Sequence, residues 1–353
     1  MTWDSYVTVF GASPGERRDV FAAASQRLGM RPELIEKDFW VCATLELLYH
    51  CRPEGAPRLL FKGGTSLSKS YSLIQRFSED IDITVFRQDL GHALDIEKLG
   101  SLSKSGRRKV LDALKTACRA YIVDTLRPQL ADLMSGLAKV VVDPEDPDGQ
   151  SLRIVYPRAD ADAPEEVLPA IRIESGARSA LNPNCLTSVA PYAGEVVPNL
   201  DLVVKGITTI VPARTFWDKC IIVHEVRSWY DHRGLLRGGG NRISRHYYDL
   251  HRLFNSSQSA TFLAESDLGL DCVRHATQFF SSPDFDLSMA MDGNFSLSPS
   301  PEMIPDLRRD YDRTRAMFFG SPPAFDEVMS VMATLEHRIN QVARTWSASH
   351  TVL

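Results

Sequence analysis

Two aspartates separated by one isoleucine, Asp80-Ile81-Asp82, carry the sharpest chemical signal in the sequence. In the segment 80–86, Asp80, Asp82 and Thr84 alternate with Ile81, Ile83 and Val85, which is the period of a half-buried strand. Alternation puts both carboxylates on one face, with Cα atoms about 6.5–7 Å apart at a rise of ~3.3 Å per residue. Two carboxylates so placed can share a divalent ion. Mg²⁺ is a hard ion that takes carboxylate oxygens, water and phosphate oxygens, and such ions serve phosphoryl and nucleotidyl transfer. A solvated acidic strand face is the plainer alternative.

The elements that must hold this pair can be read on either side of it. Upstream, the run Arg58-Leu59-Leu60-Phe61-Lys62 enters Gly63-Gly64, and a helix is expected over 65–74, opened by Thr65-Ser66. This is a strand, a glycine turn and a helix. Backbone N–H groups at such a turn suit an anion such as a triphosphate, and glycine permits close approach; an ordinary turn with a hydroxyl cap is the alternative. Residues 31–50 read as an amphipathic helix and 106–134 as another, followed by a polar loop at 143–150. Strands are expected at 152–156 and 170–174, a loop from Asn182 to about 200, and an extended run at 203–211. From Ala213 onward helical periodicity dominates, over 213–230, 244–255, roughly 260–281 and 323–345. The boundary falls near 200–212, giving an α/β portion over 1–205 and a mainly helical portion over 206–353.

Composition bounds the class without naming partners. The 353 residues are 44% hydrophobic and 24% charged, as in folded globular chains, and suggest roughly two domains. A net charge of −5 does not announce a polyanion binder. No apolar run reaches the length of a membrane span and the start has no signal-peptide pattern, so the chain reads as cytoplasmic. The six cysteines lack CxxC spacing and read as reduced, and the nine histidines lack zinc-site spacing.

Taken together, Phe61-Lys62-Gly63-Gly64-Thr65-Ser66-Leu67 followed by Arg76-Phe77-Ser78-Glu79-Asp80-Ile81-Asp82 resembles the DNA polymerase β type of nucleotidyltransferase, and more specifically the AbiEii/AbiGii toxin family with its MenT-type members. Further stretches match in order: Ile35-Glu36-Lys37-Asp38-Phe39-Trp40-Val41, Ile171-Arg172-Ile173-Glu174, Arg214-Thr215-Phe216-Trp217-Asp218-Lys219, and His246-Tyr247-Tyr248-Asp249-Leu250. Asp310-Tyr311 and Phe325-Asp326-Glu327 resemble the family's carboxy-terminal pattern. The likeness spans roughly 33–330 and implies an α/β (α+β) fold, a polymerase β-type core with a mixed sheet followed by helices.

The same resemblance implies site residues and partners. Asp80 and Asp82 would hold Mg²⁺ or Mn²⁺, and Gly63, Gly64, Thr65, Ser66, Ser78 and Lys219 would bind a nucleoside triphosphate. Glu174 or Asp249 would position an acceptor hydroxyl, Glu174 as a third carboxylate if its strand neighbours that of Asp80 and Asp82. A glycine-rich stretch, Arg233–Gly240, separates Lys219 from Asp249 and leaves open whether those two share a site. Ser78 near the metal-binding pair could bind phosphate or be a phosphorylation point. Arg233, Arg237, Arg242 and Arg245 form a basic segment that could hold an RNA backbone, with a solvated loop as the alternative. The implied reaction transfers a nucleoside monophosphate to an acceptor, the 3′ end of tRNA by likeness to relatives, under the restraint of a cognate antitoxin. A silent nucleotide- or RNA-binding module and a metal-dependent phosphodiesterase are the competing readings.

Overall fold

The computed structural model describes residues 2–162, 167–280 and 287–349. In chain order the elements are α1 (Thr2–Gly11), α2 (Pro14–Leu28), α3 (Pro32–His50), β1 (Leu59–Lys62), α4 (Gly63–Lys69), β2 (Asp80–Val85), α5 (Ile96–Gly100), α6 (Lys104–Ala120) and α7 (Arg127–Leu133). Strands β3 (Lys139–Val142), β4 (Leu152–Val155), β5 (Ala170–Gly176), β6 (Asn184–Val189) and β7 (Val204–Ile210) follow. Then come α8 (Pro212–Arg233), α9 (Ser244–Phe254), α10 (Ser259–Ala264), α11 (Ser266–Phe279), α12 (Ser288–Met291), α13 (Ile304–Thr314) and α14 (Phe325–Ser349).

The chain divides into two compact units. Unit 1 comprises 1–70, 77–94 and 104–210; unit 2 comprises 71–76, 95–103 and 211–353. Two short segments from the first half, Tyr71–Arg76 and Asp95–Ser103, belong to unit 2.

Unit 1 is built on one mixed seven-stranded sheet in the order β3-β4-β5-β2-β1-β7-β6. Its central strands alternate as their sequences dictate: Ile81 and Ile83 of β2 and Ile171 and Ile173 of β5 are buried in the core, while Asp80, Asp82, Arg172 and Glu174 share the other face. Helix α3 is buried on every side, not amphipathic as its sequence suggests, because Glu36, Lys37 and Asp38 are inside with the apolar residues. Its aromatic residues anchor the helices preceding it: Phe39 packs near Tyr6, Phe10 and Phe21, and Trp40 stacks on Tyr156 with centroids 4.7 Å apart.

Other local departures have local causes. The helix after Gly63-Gly64 stops at Lys69, short of the expected residue 74, and Ser72 has a left-handed φ of 53° that no helix accommodates. Strand β3 is only Lys-Val-Val-Val, too short to show a period, and β6 lies in a segment whose Asn182-Pro183-Asn184 and Pro191 read as loop. The expected 260–281 helix is two helices divided at Glu265, and residue 281 lies outside the described residues. Unit 2 packs Trp217 of α8 near Phe295 and Trp346, and the indole N–H of Trp217 donates to the carbonyl of Phe262 at 3.1 Å. Among the described residues no helix is long and apolar enough to cross a membrane.

Candidate active site

Three adjacent strands of unit 1 assemble the acidic face. Antiparallel pairing of β1 with β2 sets Lys62 opposite Asp82, and parallel pairing of β2 with β5 sets Asp82 beside Glu174 and Asp80 beside Arg172. Residues two apart on a strand share a face, so Asp80, Asp82 and Glu174 converge as three carboxylates with Lys62 and Arg172 at their flanks. The condition placed on Glu174, that its strand neighbour β2, is met.

Gly63 is required by the same geometry. Its φ of +79° is one that side chains rarely adopt, and a Cβ there would sit 2.0 Å from Oδ2 of Asp82. The Asp82 carboxylate therefore packs directly on the glycine backbone, with its Oδ1 3.9 Å from Lys62 Nζ. We expect Gly63→Ala to destabilise the fold by about 1–2 kcal/mol from left-handed strain alone and to displace Asp82, removing activity. Urea unfolding together with a transfer assay checks this, and an active, equally stable Gly63→Ala protein would contradict it.

The side chains of Thr65 and Ser66 are fully buried. The Thr65 hydroxyl donates to the carbonyl of Asp80, and that of Ser66 to the carbonyl of Gly63 at 2.9 Å. What these residues can offer a ligand is main-chain N–H rather than hydroxyl. Ser78, half-buried, lies next to this contact, its carbonyl 3.5 Å from the Thr65 hydroxyl.

Glu174 is held by Arg172, whose Nη1 donates to Glu174 Oε1 and whose Nε donates to Asp143 Oδ2 at 2.6 Å. Asp143, itself buried, also takes Arg153 Nε at 2.9 Å. Burial, then the charges of Asp82 and Asp80, push the Glu174 carboxyl up to about 7 against the opposing Arg172 and Lys62. A carboxyl raised in the folded state from a reference of 4.5 contributes stability below the lower value and loses it as pH rises through the higher. Thermal melts of metal-free protein at pH 5 and pH 8 should show a larger loss for the parent than for Glu174→Gln; equal losses would contradict the assignment.

The carboxylates are hard oxygen donors facing solvent on a rigid central strand, which fits a divalent hard cation. Among the described residues no three of His, Cys, Asp and Glu converge tightly enough to hold a metal unaided. Asp80 and Asp82 would hold such an ion together with water and phosphate oxygens, the ligands that Mg²⁺ favours.

Unit 2 brings Lys219 and Asp249 together. Lys219 Nζ of α8 lies 2.7 Å from Asp249 Oδ2 of α9, and Arg76 clamps the same carboxylate in bidentate fashion at 2.7 and 2.8 Å. Arg76 was not legible as a site residue, since its partner lies 173 positions away. The Asp249 side chain is completely buried. Burial alone would raise its carboxyl, but Arg76 and Lys219 hold it well below the usual range. Burial lowers Lys219 against the attraction of Asp249, and burial together with Lys219 and Arg245 keeps His246 neutral. Both carboxylate oxygens of Asp249 are thus engaged by Arg76 and Lys219, and its side chain has no exposure.

The basic segment is partly ordered by an aromatic residue that the sequence reading passed over. The guanidinium groups of Arg233 and Arg237 lie 5.4 and 5.7 Å from the ring centroid of Trp229. Arg242 has φ 58° and donates its backbone N–H to Asp310 at 2.7 Å, while Arg245 lies close enough to Lys219 to depress it.

The sequence matches the model of a family described as nucleotidyl transferase AbiEii toxin, type IV toxin–antitoxin system, over residues 46–331, a range that begins after the Ile35–Val41 segment. No curated protein matches it. Among solved structures, MenT4, a nucleotidyltransferase toxin from Mycobacterium tuberculosis H37Rv, aligns at 15% identity over 93% of this chain and 98% of that one, with a TM-score of 0.44.

Proposed function

The chain belongs to the AbiEii family of nucleotidyltransferase toxins of type IV toxin–antitoxin systems, and on that premise we propose that it transfers a nucleoside monophosphate from a nucleoside triphosphate to an RNA hydroxyl, that of the tRNA 3′ end. The observation that carries the reading is the convergence of Asp80, Asp82 and Glu174 on two neighbouring strands, with Asp82 packed on Gly63.

Asp80 and Asp82 would hold Mg²⁺ or Mn²⁺, which when bound neutralises charge on phosphate oxygens. Glu174 accepts the proton of the acceptor hydroxyl, a role suited to a carboxyl raised to about 7. The hydroxyl oxygen bonds to the α-phosphorus, the bond from that phosphorus to the β-phosphate bridging oxygen breaks, and pyrophosphate leaves. The main-chain N–H groups of Gly63–Ser66 face the nucleotide's phosphates. Ser78 lies at the edge of that site, as a phosphate contact or a point of phosphorylation. In unit 2, Arg76 and Lys219 bring two positive charges against the single negative charge of Asp249, and a phosphate contact for Lys219 rests on the family likeness alone. Positive charge serves where a leaving group gains negative charge. Arg233, Arg237, Arg242 and Arg245, with Trp229, form the candidate RNA contact, in which phosphate attraction and ring stacking combine. A cognate antitoxin restrains the activity in the cell.

Pyrophosphate release tests the reaction directly. Purified protein with Mg²⁺, one triphosphate at a time and total tRNA should release pyrophosphate for at least one triphosphate, and only with RNA present. Release of nucleoside monophosphate from the RNA instead would favour a phosphodiesterase, and no release would favour a silent binding module.

A further inference from the structure

Helix α3 carries Glu36, Lys37 and Asp38 in succession, and all three are buried. With 3.6 residues per turn, consecutive side chains leave a helix about 100° apart, so the three reach different neighbours. Glu36 accepts the backbone N–H of Ala159 at 2.8 Å. Lys37 Nζ lies 2.7 Å from Glu79 Oε2. Asp38 Oδ1 lies 2.6 Å from Lys69 Nζ, and Asp38 Oδ2 accepts the N–H of Tyr192 at 2.7 Å. The Tyr192 ring lies 3.7 Å from the same ammonium.

The partners of Lys37 and Asp38 sit at two particular points of the chain. Lys69 is the last residue of α4, the helix that opens at Gly63, and Glu79 directly precedes β2, the strand of Asp80 and Asp82. The chain leaves unit 1 after Ser70 and returns at Phe77, so α3 grips it at both ends of that excursion. Buried ion pairs are a poor source of net stability, because desolvation offsets most of the attraction and packed apolar residues would hold a helix as well. On α3 that task already falls to Ile35, Phe39, Trp40 and their neighbours. What two ionic ties add is a single allowed placement of the segments they hold.

We propose that Lys37 and Asp38 are positioning residues for nucleotidyl transfer: through Glu79 and Lys69 they fix where β2 begins and α4 ends, and hence how Asp80 and Asp82 stand against Gly63. The inference rests on the reading of those carboxylates as the reacting site. It adds two residues with no contact to substrate, both lying 25 positions or more before Gly63 in the chain.

The test is the double variant Lys37→Met/Glu79→Gln, which removes both charges of the pair at similar volume. Hydrogen–deuterium exchange of residues 77–82 should rise about tenfold or more while β3, β4 and α6 keep their protection. In the transfer assay kcat should fall about tenfold or more with the KM for triphosphate within about threefold. A merely stabilising role predicts instead a lower melting temperature with kcat per folded molecule unchanged. Unchanged exchange at 77–82 overturns the inference whatever the activity. A parent protein that transfers nothing overturns the functional reading, and exchange still decides the placement. If the double variant does not fold, Glu79→Gln alone, at a side chain 21% exposed, carries the same exchange measurement. Asp38→Asn/Lys69→Met should reproduce the effect over residues 63–69, and normal protection there would also contradict the proposal.

Discussion

Asp82→Ala should lower nucleotidyl transfer by about a thousandfold or more and leave the protein folded. A carboxylate holding a divalent ion against phosphate oxygens supplies several kcal/mol of charge stabilisation, and about 4 kcal/mol corresponds to three powers of ten in rate. The fold depends little on the same group. Asp82 is half-buried on the polar face of β2, its backbone pairs with β1 and β5 survive the change, and its contact with Lys62 is long at 3.9 Å. Removing it also withdraws one of the charges that raise Glu174, so the Glu174 carboxyl should titrate lower in the variant. Asp80→Ala should show the same loss of transfer. Activity within tenfold of the parent, in either variant, would contradict the assignment of the pair.

Arg76→Met should destabilise unit 2 by about 3–5 kcal/mol, because it removes a bidentate partner and leaves a buried carboxylate short of charge. Both oxygens of Asp249 are engaged by Arg76, and only Lys219 would remain. The pH dependence follows from the same pair. Asp249 is depressed in the folded state, so its contribution is present above the ordinary aspartate range and is lost only as pH falls toward the depressed value. The gap between parent and variant should therefore be wide at neutral pH and narrow in acid. Trp217, Trp229 and Trp346 lie in unit 2, and the urea transition of their fluorescence reports on it. A difference below about 1 kcal/mol, the range of exposed ion pairs, would contradict this account.

The strand of Asp80 and Asp82 was legible because a period of two survives in six residues, and the glycine turn because Gly63-Gly64 interrupts an apolar run. Glu174 could be placed on a strand, but not beside Asp82, since strand pairing is set by contacts that the local pattern does not encode. Lys62 ends the apolar run before the glycines and faces Asp82 only through that pairing. The buried ionic groups were the least legible. Glu36, Lys37 and Asp38 look like a solvated helix face until their partners at 159, 79, 69 and 192 are known, and Arg76 looks like a loop cation until Asp249 is found beside it. In each case a group that sequence reasoning sends to solvent is inside because a distant residue supplies an opposite charge or a hydrogen bond. The pairing of Lys219 with Asp249 was left open by the glycine-rich stretch between them, which turns through positive φ at Gly238, Gly239 and Gly240 and lets α9 return alongside α8.

The proposed reaction moves the α-phosphate and its nucleoside onto RNA. The most direct measurement incubates parent protein and Asp82→Ala with Mg²⁺, total tRNA and each triphosphate labelled at either the α- or the γ-phosphate, followed by a denaturing gel. α-Label should appear on RNA with at least one triphosphate, γ-label should not, and the variant should transfer neither. Label delivered from the γ-position, or α-label transferred equally well without Asp82, would contradict it.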